Sequence, residues 1–325
     1  MTNNILPKEK LKIILISPHG FCAGVSRAID VIEQAISIYH PQNKKIYVRN
    51  EIVHNKRVVE YFIKKGITFI KNLSEIKDKN SILIFSAHGT PLAVEQDAKN
   101  QNIHIIDATC PLVKKVHLEG INQSNQGKDI ILVGHSGHPE LEGTKGRIPS
   151  NSIVYIVTNQ EDANSLVVRD KNNLAYITQT TLSLDDTKEI IDILKTRFPV
   201  LTGQNTKNIC YATQNRQQAV KKIIPKINML IIVGSQNSSN SNRLKEIGTN
   251  HNIPSYLIDD VKNIPFEDIL KIKHLGISAG ASAPKDLIEE IIFTIKENTD
   301  SILEIFEDTK EDVVFHLPKE IRPKK

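Results

Sequence analysis

Three cysteines, Cys22, Cys110 and Cys210, are the first candidates for chemistry in this 325-residue sequence. Cys110 lies 88 residues after Cys22, and Cys210 lies 100 after Cys110. Such spacings lack the close pairs typical of structural zinc sites, and an odd, sparse set is not a disulfide framework. Each cysteine follows an apolar or extended segment and opens a helix-like one. A thiol at a helix N-terminus is readily ionised and becomes a soft metal ligand. Three thiolates could hold an iron–sulfur cluster with one iron open to a substrate, because a closed cluster commonly takes four. The same three residues could instead be small buried side chains of the core. Both readings stand on spacing alone.

Two polar loops follow each cysteine. The first loops are Asn50-Glu-Ile-Val-His54, His135-Ser-Gly-His-Pro-Glu140 and Ser235-Gln-Asn-Ser-Ser-Asn240. His54 comes 32 residues after Cys22, while His138 and Ser238 each come 28 after their own cysteine. The second loops are Ser86-Ala-His-Gly-Thr90, Thr178-Gln-Thr-Thr181 and Ser278-Ala-Gly-Ala-Ser282. His88, Thr180 and Ser282 come 66, 70 and 72 residues after the preceding cysteine. His54, His88 and His138 offer imidazole donors, and Ser238, Ser239, Asn240 and Ser282 offer hydroxyl and amide donors. The serine-rich loops read as helix starts, whose free N–H groups favour a phosphate or diphosphate. Taken singly, each histidine could be an ordinary surface or core residue, and the Ser/Asn cluster could be helix capping. Glu140 stands two residues after His138; in a dry pocket its carboxyl could keep a proton at neutral pH, and in solvent it would be a plain loop carboxylate. Thr180 could orient that acid or a water.

The elements that must position these residues are legible as alternation. Lys12–Ile16, Ser81–Phe85, Asp129–Val133 and Met229–Val233 are apolar on both faces and read as buried parallel strands. Between such runs lie helical patterns, as in Val25, Ile29, Ile32 and Ile36, or Leu287, Ile288, Ile291, Ile292 and Ile295 behind Pro284. Alternating strands and helices imply an α/β protein with parallel sheets. In such sheets ligands bind beyond the carboxyl ends of the strands, so three α/β units around a pseudo-threefold axis would bring all nine chemical elements to one centre. The polar ends, 1–10 and 318–325, read as loose.

Composition narrows the function classes. Hydrophobic residues make up 39% and charged residues 24%, as in a globular chain. Aromatics are only 5%, without Trp, and the Lys and Arg behind the net charge of +5 are scattered; neither feature suits nucleic-acid binding. No apolar run reaches membrane-span length and no signal peptide is expected, so the chain reads as cytoplasmic with reduced thiols. Neither a dinucleotide fingerprint nor a P-loop occurs, so a redox enzyme of this design needs electrons from a partner protein.

The ordered motifs Pro18-His-Gly-Phe-Cys-Ala-Gly-Val25, Arg49-Asn-Glu-Ile-Val-His-Asn55, Ser86-Ala-His-Gly89, Asp107-Ala-Thr-Cys-Pro-Leu-Val113, Gly134-His-Ser-Gly-His-Pro-Glu140, Thr178-Gln-Thr-Thr-Leu-Ser183, Cys210-Tyr-Ala-Thr213, Gly234-Ser-Gln-Asn-Ser-Ser-Asn-Ser-Asn-Arg243 and Ala279-Gly-Ala-Ser-Ala-Pro284 together resemble the 4-hydroxy-3-methylbut-2-enyl diphosphate reductase family of the non-mevalonate isoprenoid pathway. The resemblance runs from about Leu11 to Arg322. It implies a trefoil of three pseudo-threefold-related α/β domains with mostly parallel sheets around a central 4Fe-4S cluster. The expected domains are 24–110, 111–209, and 210–298 joined by the N-terminal strand 11–23, with 299–325 as a C-terminal tail.

By the same resemblance Cys22, Cys110 and Cys210 match the cluster ligands. His54, His88, His138, Thr180, Ser238, Ser239, Asn240 and Ser282 match substrate-binding positions, with the diphosphate held by neutral and histidyl donors. Glu140 matches the catalytic acid, assisted by Thr180 and His138. The implied reaction is reductive dehydroxylation to isopentenyl and dimethylallyl diphosphate, with electrons from a ferredoxin or flavodoxin. His19 departs from the family, which often has Arg there. The rival readings are a non-enzymatic metal or iron–sulfur sensor, which has no use for a phosphate clamp, and a metal-free phosphate-binding module.

Overall fold

The computed structural model describes residues 10–78, 80–203 and 208–322. The N-terminal end expected to be loose falls almost wholly outside these residues. In chain order the elements begin with β1 (Leu11–Ser17), α1 (Ala23–Tyr39), β2 (Ile46–Arg49), α2 (Lys56–Lys64), β3 (Thr68–Ile70), β4 (Ile82–Phe85), α3 (Leu92–Asn100) and β5 (His104–Asp107). There follow α4 (Pro111–Asn125), β6 (Asp129–Val133), α5 (Pro139–Lys145), β7 (Val154–Val157), α6 (Gln160–Ser165), β8 (Leu174–Thr178) and α7 (Leu184–Arg197). The C-terminal part holds α8 (Tyr211–Ile223), β9 (Met229–Val233), α9 (Ser239–Asn250), β10 (Ser255–Ile258), α10 (Phe266–Ile269), β11 (His274–Ala279), α11 (Lys285–Glu297) and β12 (Ser301–Glu307).

The chain divides into two compact units, one of residues 1–22 with 212–312 and one of 23–211 with 313–325. The second holds two parallel sheets, ordered β3-β2-β4-β5 and β7-β6-β8. A parallel bridge from Ala175 to Thr202 extends the latter beyond β8. The first unit holds one parallel sheet, β10-β9-β11-β1-β12. The three sheets therefore share one order, and in each the segment leading to a cysteine runs beside the third strand of its set.

The expected α/β class with parallel sheets is what forms. β4, β6 and β9 are buried along their whole length, because helices cover both faces of a parallel sheet and leave no polar side to alternate with. Each such Ile or Leu contributes roughly 1.5–3 kcal/mol on burial. In α11 the residues Leu287, Ile288, Ile291, Ile292 and Ile295 are buried as their spacing predicts. The face of α1 differs from expectation: its buried line is Gly24, Arg27, Ala28, Val31, Ile32, Ala35 and Tyr39. Val25, Ile29 and Ile36 are only partly buried, since the packed line also carries Arg27, whose guanidinium is hydrogen-bonded to the Ala108 and Thr109 carbonyls.

The segment beyond 298 begins with β12, which pairs with β1 from Leu11↔Ser301 to Ser17↔Glu307. Its side chains are mostly exposed, so its order comes from backbone pairing that hydrophobic patterning does not signal. Ile321 is 1% exposed, which anchors an end expected to be loose. Among the described residues no helix is long and apolar enough to cross a membrane.

Candidate active site

In the unit of residues 23–211 with 313–325, the loops after β2, β4 and β6 bring three imidazoles together. Asn50 turns the chain at the end of β2 with φ of 59°, a conformation Asn tolerates better than most residues. Ile52 and Val53 are buried beneath the loop, and the Ala87 N–H donates to the Ile52 carbonyl at 3.2 Å, joining the first loop to the second. His54 and His88 stack with ring centroids 4.1 Å apart. His138 stands edge-on to both, 5.3 Å from His54 and 5.9 Å from His88.

His88 and His138 are held neutral. Burial, then the neighbouring His54 and His138, keep His88 well below the ordinary imidazole range. Burial, with His54 and His135, lowers His138 to about 3. His138 is the N-cap of α5, and its Nδ1 accepts the Glu140 N–H at 3.1 Å. That bond places the proton of the neutral ring on Nε2, leaving an N–H donor. The cluster can donate hydrogen bonds to phosphate oxygens, and an arriving anion would favour taking up a proton there.

Glu140 and Thr180 meet in the same unit. Glu140 is 2% exposed. Its Oε1 accepts the Thr180 N–H at 2.6 Å and its Oε2 accepts the Thr180 hydroxyl at 2.9 Å. Burial pushes this carboxyl up from 4.5 to about 7, against the downward pull of both Thr180 bonds. The group therefore holds or releases a proton near neutrality, which suits a general acid. Pro139 at the first position of α5 fits its fixed φ and presents Glu140 one residue into the helix.

Ser238, Ser239, Asn240 and Ser282 lie in the other unit. Ser238 is the N-cap of α9, and its Oγ accepts the Ser241 N–H at 3.4 Å and the Ser241 hydroxyl at 3.0 Å, so capping is one of its tasks. Ser239 and Asn240 form the first turn of that helix, where N–H groups favour an anion. Asn240 is 4% exposed, yet among the described residues neither its Oδ1 nor its Nδ2 has a hydrogen-bond partner. A buried amide so placed calls for a polar ligand. Ser282 is buried just before α11.

The three cysteines share one local design. Cys22 immediately precedes α1, Cys110 caps α4 and Cys210 immediately precedes α8. Their N–H groups donate to the carbonyls of Ala281 (3.2 Å), Ala87 (3.0 Å) and Thr180 (3.0 Å) respectively, each in a second polar loop. All three are partly exposed thiols outside any disulfide, not the sealed core residues of the rival reading. Soft donors at helix N-termini, backed by loop carbonyls, fit an iron–sulfur cluster by their chemistry. Cys22 belongs to one compact unit, and Cys110 and Cys210 to the other. Among the described residues no three His, Cys, Asp or Glu side chains are already gathered as a metal site.

Several supporting residues carried no role from sequence. Gly143 on α5 packs against the His88 loop; a Cβ there would meet the Gly89 carbonyl carbon at 3.0 Å. Arg147 donates to the Thr90 carbonyl at 2.7 Å and pairs with Glu95 at 2.6 Å. Gln179 is buried and accepts the His135 N–H at 3.1 Å, tying two loops together. A lone glycine inside a short helix is the sequence signal for Gly143; Gln179 and Arg147 carry none.

The LytB protein family model matches residues 13–296. The 4-hydroxy-3-methylbut-2-enyl diphosphate reductase of Hamiltonella defensa subsp. Acyrthosiphon pisum is 49% identical, covering 96% of this chain and 97% of its own. That of Francisella tularensis subsp. tularensis is 46% identical, with 97% and 98% covered. The solved structure of the E-1-hydroxy-2-methyl-but-2-enyl-4-diphosphate reductase from Plasmodium falciparum superposes with a TM-score of 0.91 at 35% identity, covering 97% of each chain. A second solved reductase, described as the terminal enzyme of the non-mevalonate pathway, has a TM-score of 0.64 at 32% identity and covers 88% of this chain and 99% of its own.

Proposed function

This chain belongs to the LytB protein family, and from that premise we propose how its residues carry out the reductase reaction for which its relatives are named, read here as a reductive dehydroxylation. The chain is an oxidoreductase that converts 4-hydroxy-3-methylbut-2-enyl diphosphate to isopentenyl and dimethylallyl diphosphate, the terminal step of the non-mevalonate pathway. Cys22, Cys110 and Cys210 would hold one 4Fe-4S cluster per chain, which when bound supplies electrons and an open iron for the allylic hydroxyl.

His54, His88 and His138 donate N–H groups to the diphosphate, joined by Ser238, Ser239, Asn240 and Ser282. Burial keeps His88 and His138 neutral, so each can donate without carrying a charge of its own. Glu140 holds the proton that the departing hydroxyl needs to leave as water. Thr180 fixes the carboxyl with two bonds and keeps it aimed, and His138 anchors the turn from which Glu140 projects. Two electrons and two protons balance the loss of water; the second proton, added at either end of the allylic system, decides which product forms.

A ferredoxin or flavodoxin supplies the electrons in this reading, and thiols outside any disulfide suit the reducing cytoplasm. The shared strand order of the three sheets supports the division into 24–110, 111–209 and 210–298 with 11–23, whereas the first part of 299–325 joins the last of these sheets as β12. The observation that carries the mechanism is the buried Glu140 carboxyl near neutrality in the grip of Thr180; a sensor or a phosphate carrier has no use for it. Anaerobic purification should give a brown protein with about four irons and four sulfides per chain. A colourless, folded, iron-free chain after reconstitution overturns the proposal.

A further inference from the structure

We infer that Arg27 and Arg216 are positioning residues that grip the backbone leading to Cys110 and Cys22, and that the segment after β12 completes both grips. The inference rests on the cysteines holding the cluster. Arg27 is 6% exposed and Arg216 is 1% exposed, and a guanidinium taken so far out of water must find acceptors for its fork of donors.

Arg27 finds them in carbonyls. Its Nη1 donates to Ala108 at 3.1 Å and Thr109 at 3.2 Å, and its Nη2 to Asp107 at 3.5 Å. These are the three residues immediately before Cys110. Its Nε donates to the His316 carbonyl at 2.7 Å. The same turn is held from within by Asp107, whose Oδ1 accepts the Thr109 N–H at 2.9 Å, and from the other side by the Cys110 N–H bond to Ala87.

Arg216 repeats the device. Its Nη2 donates to the Gly20 carbonyl at 2.7 Å, two residues before Cys22. Its Nη1 donates to the Ala212 carbonyl at 2.9 Å and to Glu311 Oε1 and Oε2 at 3.0 and 3.2 Å. Asn215 donates to the same carboxylate at 3.1 Å. Gly20 has φ of 69°, in the left-handed region that favours glycine, so this turn has a conformation that needs holding. Arg27 and Arg216 stand five and six residues after a cysteine in the sequence, and each grips the turn before a different one. A thiol can serve a cluster only when its turn is fixed, and lysine, whose three donors sit on one nitrogen, cannot span separated carbonyls and a carboxylate as the fork does.

The test uses the full chain, reconstituted anaerobically, as wild type, Arg27→Gln, Arg216→Gln, Arg216→Lys and Glu311→Gln. Two quantities are read: the rate of iron release to a chelator and the electron paramagnetic spectrum of the reduced cluster. Loss of a buried charge-assisted bond should speed release by about tenfold or more in the two Arg→Gln variants and shift the spectrum. Arg216→Lys should fall between, and Glu311→Gln, which removes only the counter-charge, should release iron about threefold faster. Circular dichroism and thermal unfolding of the metal-free proteins separate misfolding from loosened turns; if an Arg variant fails to fold, Glu311→Gln decides. Folded variants with wild-type release rates and spectra overturn the inference. A wild type that takes up no iron overturns the cluster reading and this inference with it.

Discussion

Glu140→Gln separates the proton from the pocket that holds it. The wild-type carboxyl is buried, and burial moves it from 4.5 to about 7. The folded-state value lies above the unfolded one, so the fold holds its proton more tightly than the unfolded chain does. The penalty for the buried carboxylate is full above about pH 7 and fades as the pH falls toward 4.5. One pH unit is worth about 1.4 kcal/mol, so the wild type loses about 3 kcal/mol of stability at pH 8 to this group. Glutamine has the same shape, carries no charge and keeps an acceptor for the Thr180 N–H. Urea unfolding followed by circular dichroism should find the variant more stable by up to about 3 kcal/mol at pH 8, with the gain vanishing near pH 4.5. Turnover should fall on the order of a hundredfold or more, as for loss of a general acid, while substrate affinity changes little. Equal stability at both pH values would refute the buried-acid argument, and normal turnover would remove Glu140 from the chemistry.

Related measurements probe the neighbours. Wild-type turnover should decline about tenfold per pH unit above roughly pH 7 as Glu140 loses its proton, and Glu140→Gln should lack that limb. Thr180→Val keeps the backbone bond but removes the hydroxyl bond that favours the carboxylate; the limb should move to higher pH and turnover drop about tenfold, whereas an unmoved limb refutes the contact. Asn240→Ala should raise KM about tenfold with little change in unfolding midpoint, because among the described residues its amide has no partner to lose; a large stability loss would contradict that. Gly143→Ala forces a methyl against the Gly89 backbone and should lower stability by about 1–3 kcal/mol, read by urea unfolding.

The parallel strands were legible because burial on both faces leaves runs such as Met229–Val233 with no polar side. The cysteines and polar loops were legible because the same chemistry returns at matched offsets. β12 was not, since its order comes from pairing with β1 while Ile302 and Ile305 stay exposed. Hydrophobic spacing misjudged the α1 face because the buried line includes Gly24, Ala28, Ala35 and the hydrogen-bonded Arg27, none of which is a large apolar residue. The loop-to-loop bonds of Gln179, Arg147, Arg27 and Arg216 join residues distant in sequence, and no local pattern encodes such partners. Glu140 was legible as a candidate acid, but its shift required knowing that the pocket excludes water.

Anaerobic turnover of 4-hydroxy-3-methylbut-2-enyl diphosphate by the iron-loaded chain, with a reduced one-electron dye as donor, is the decisive experiment. Two dye molecules should be oxidised for each substrate consumed, with isopentenyl and dimethylallyl diphosphate as the only organic products. An iron-loaded, folded chain that binds the substrate and leaves both it and the dye unchanged would contradict the proposed reaction.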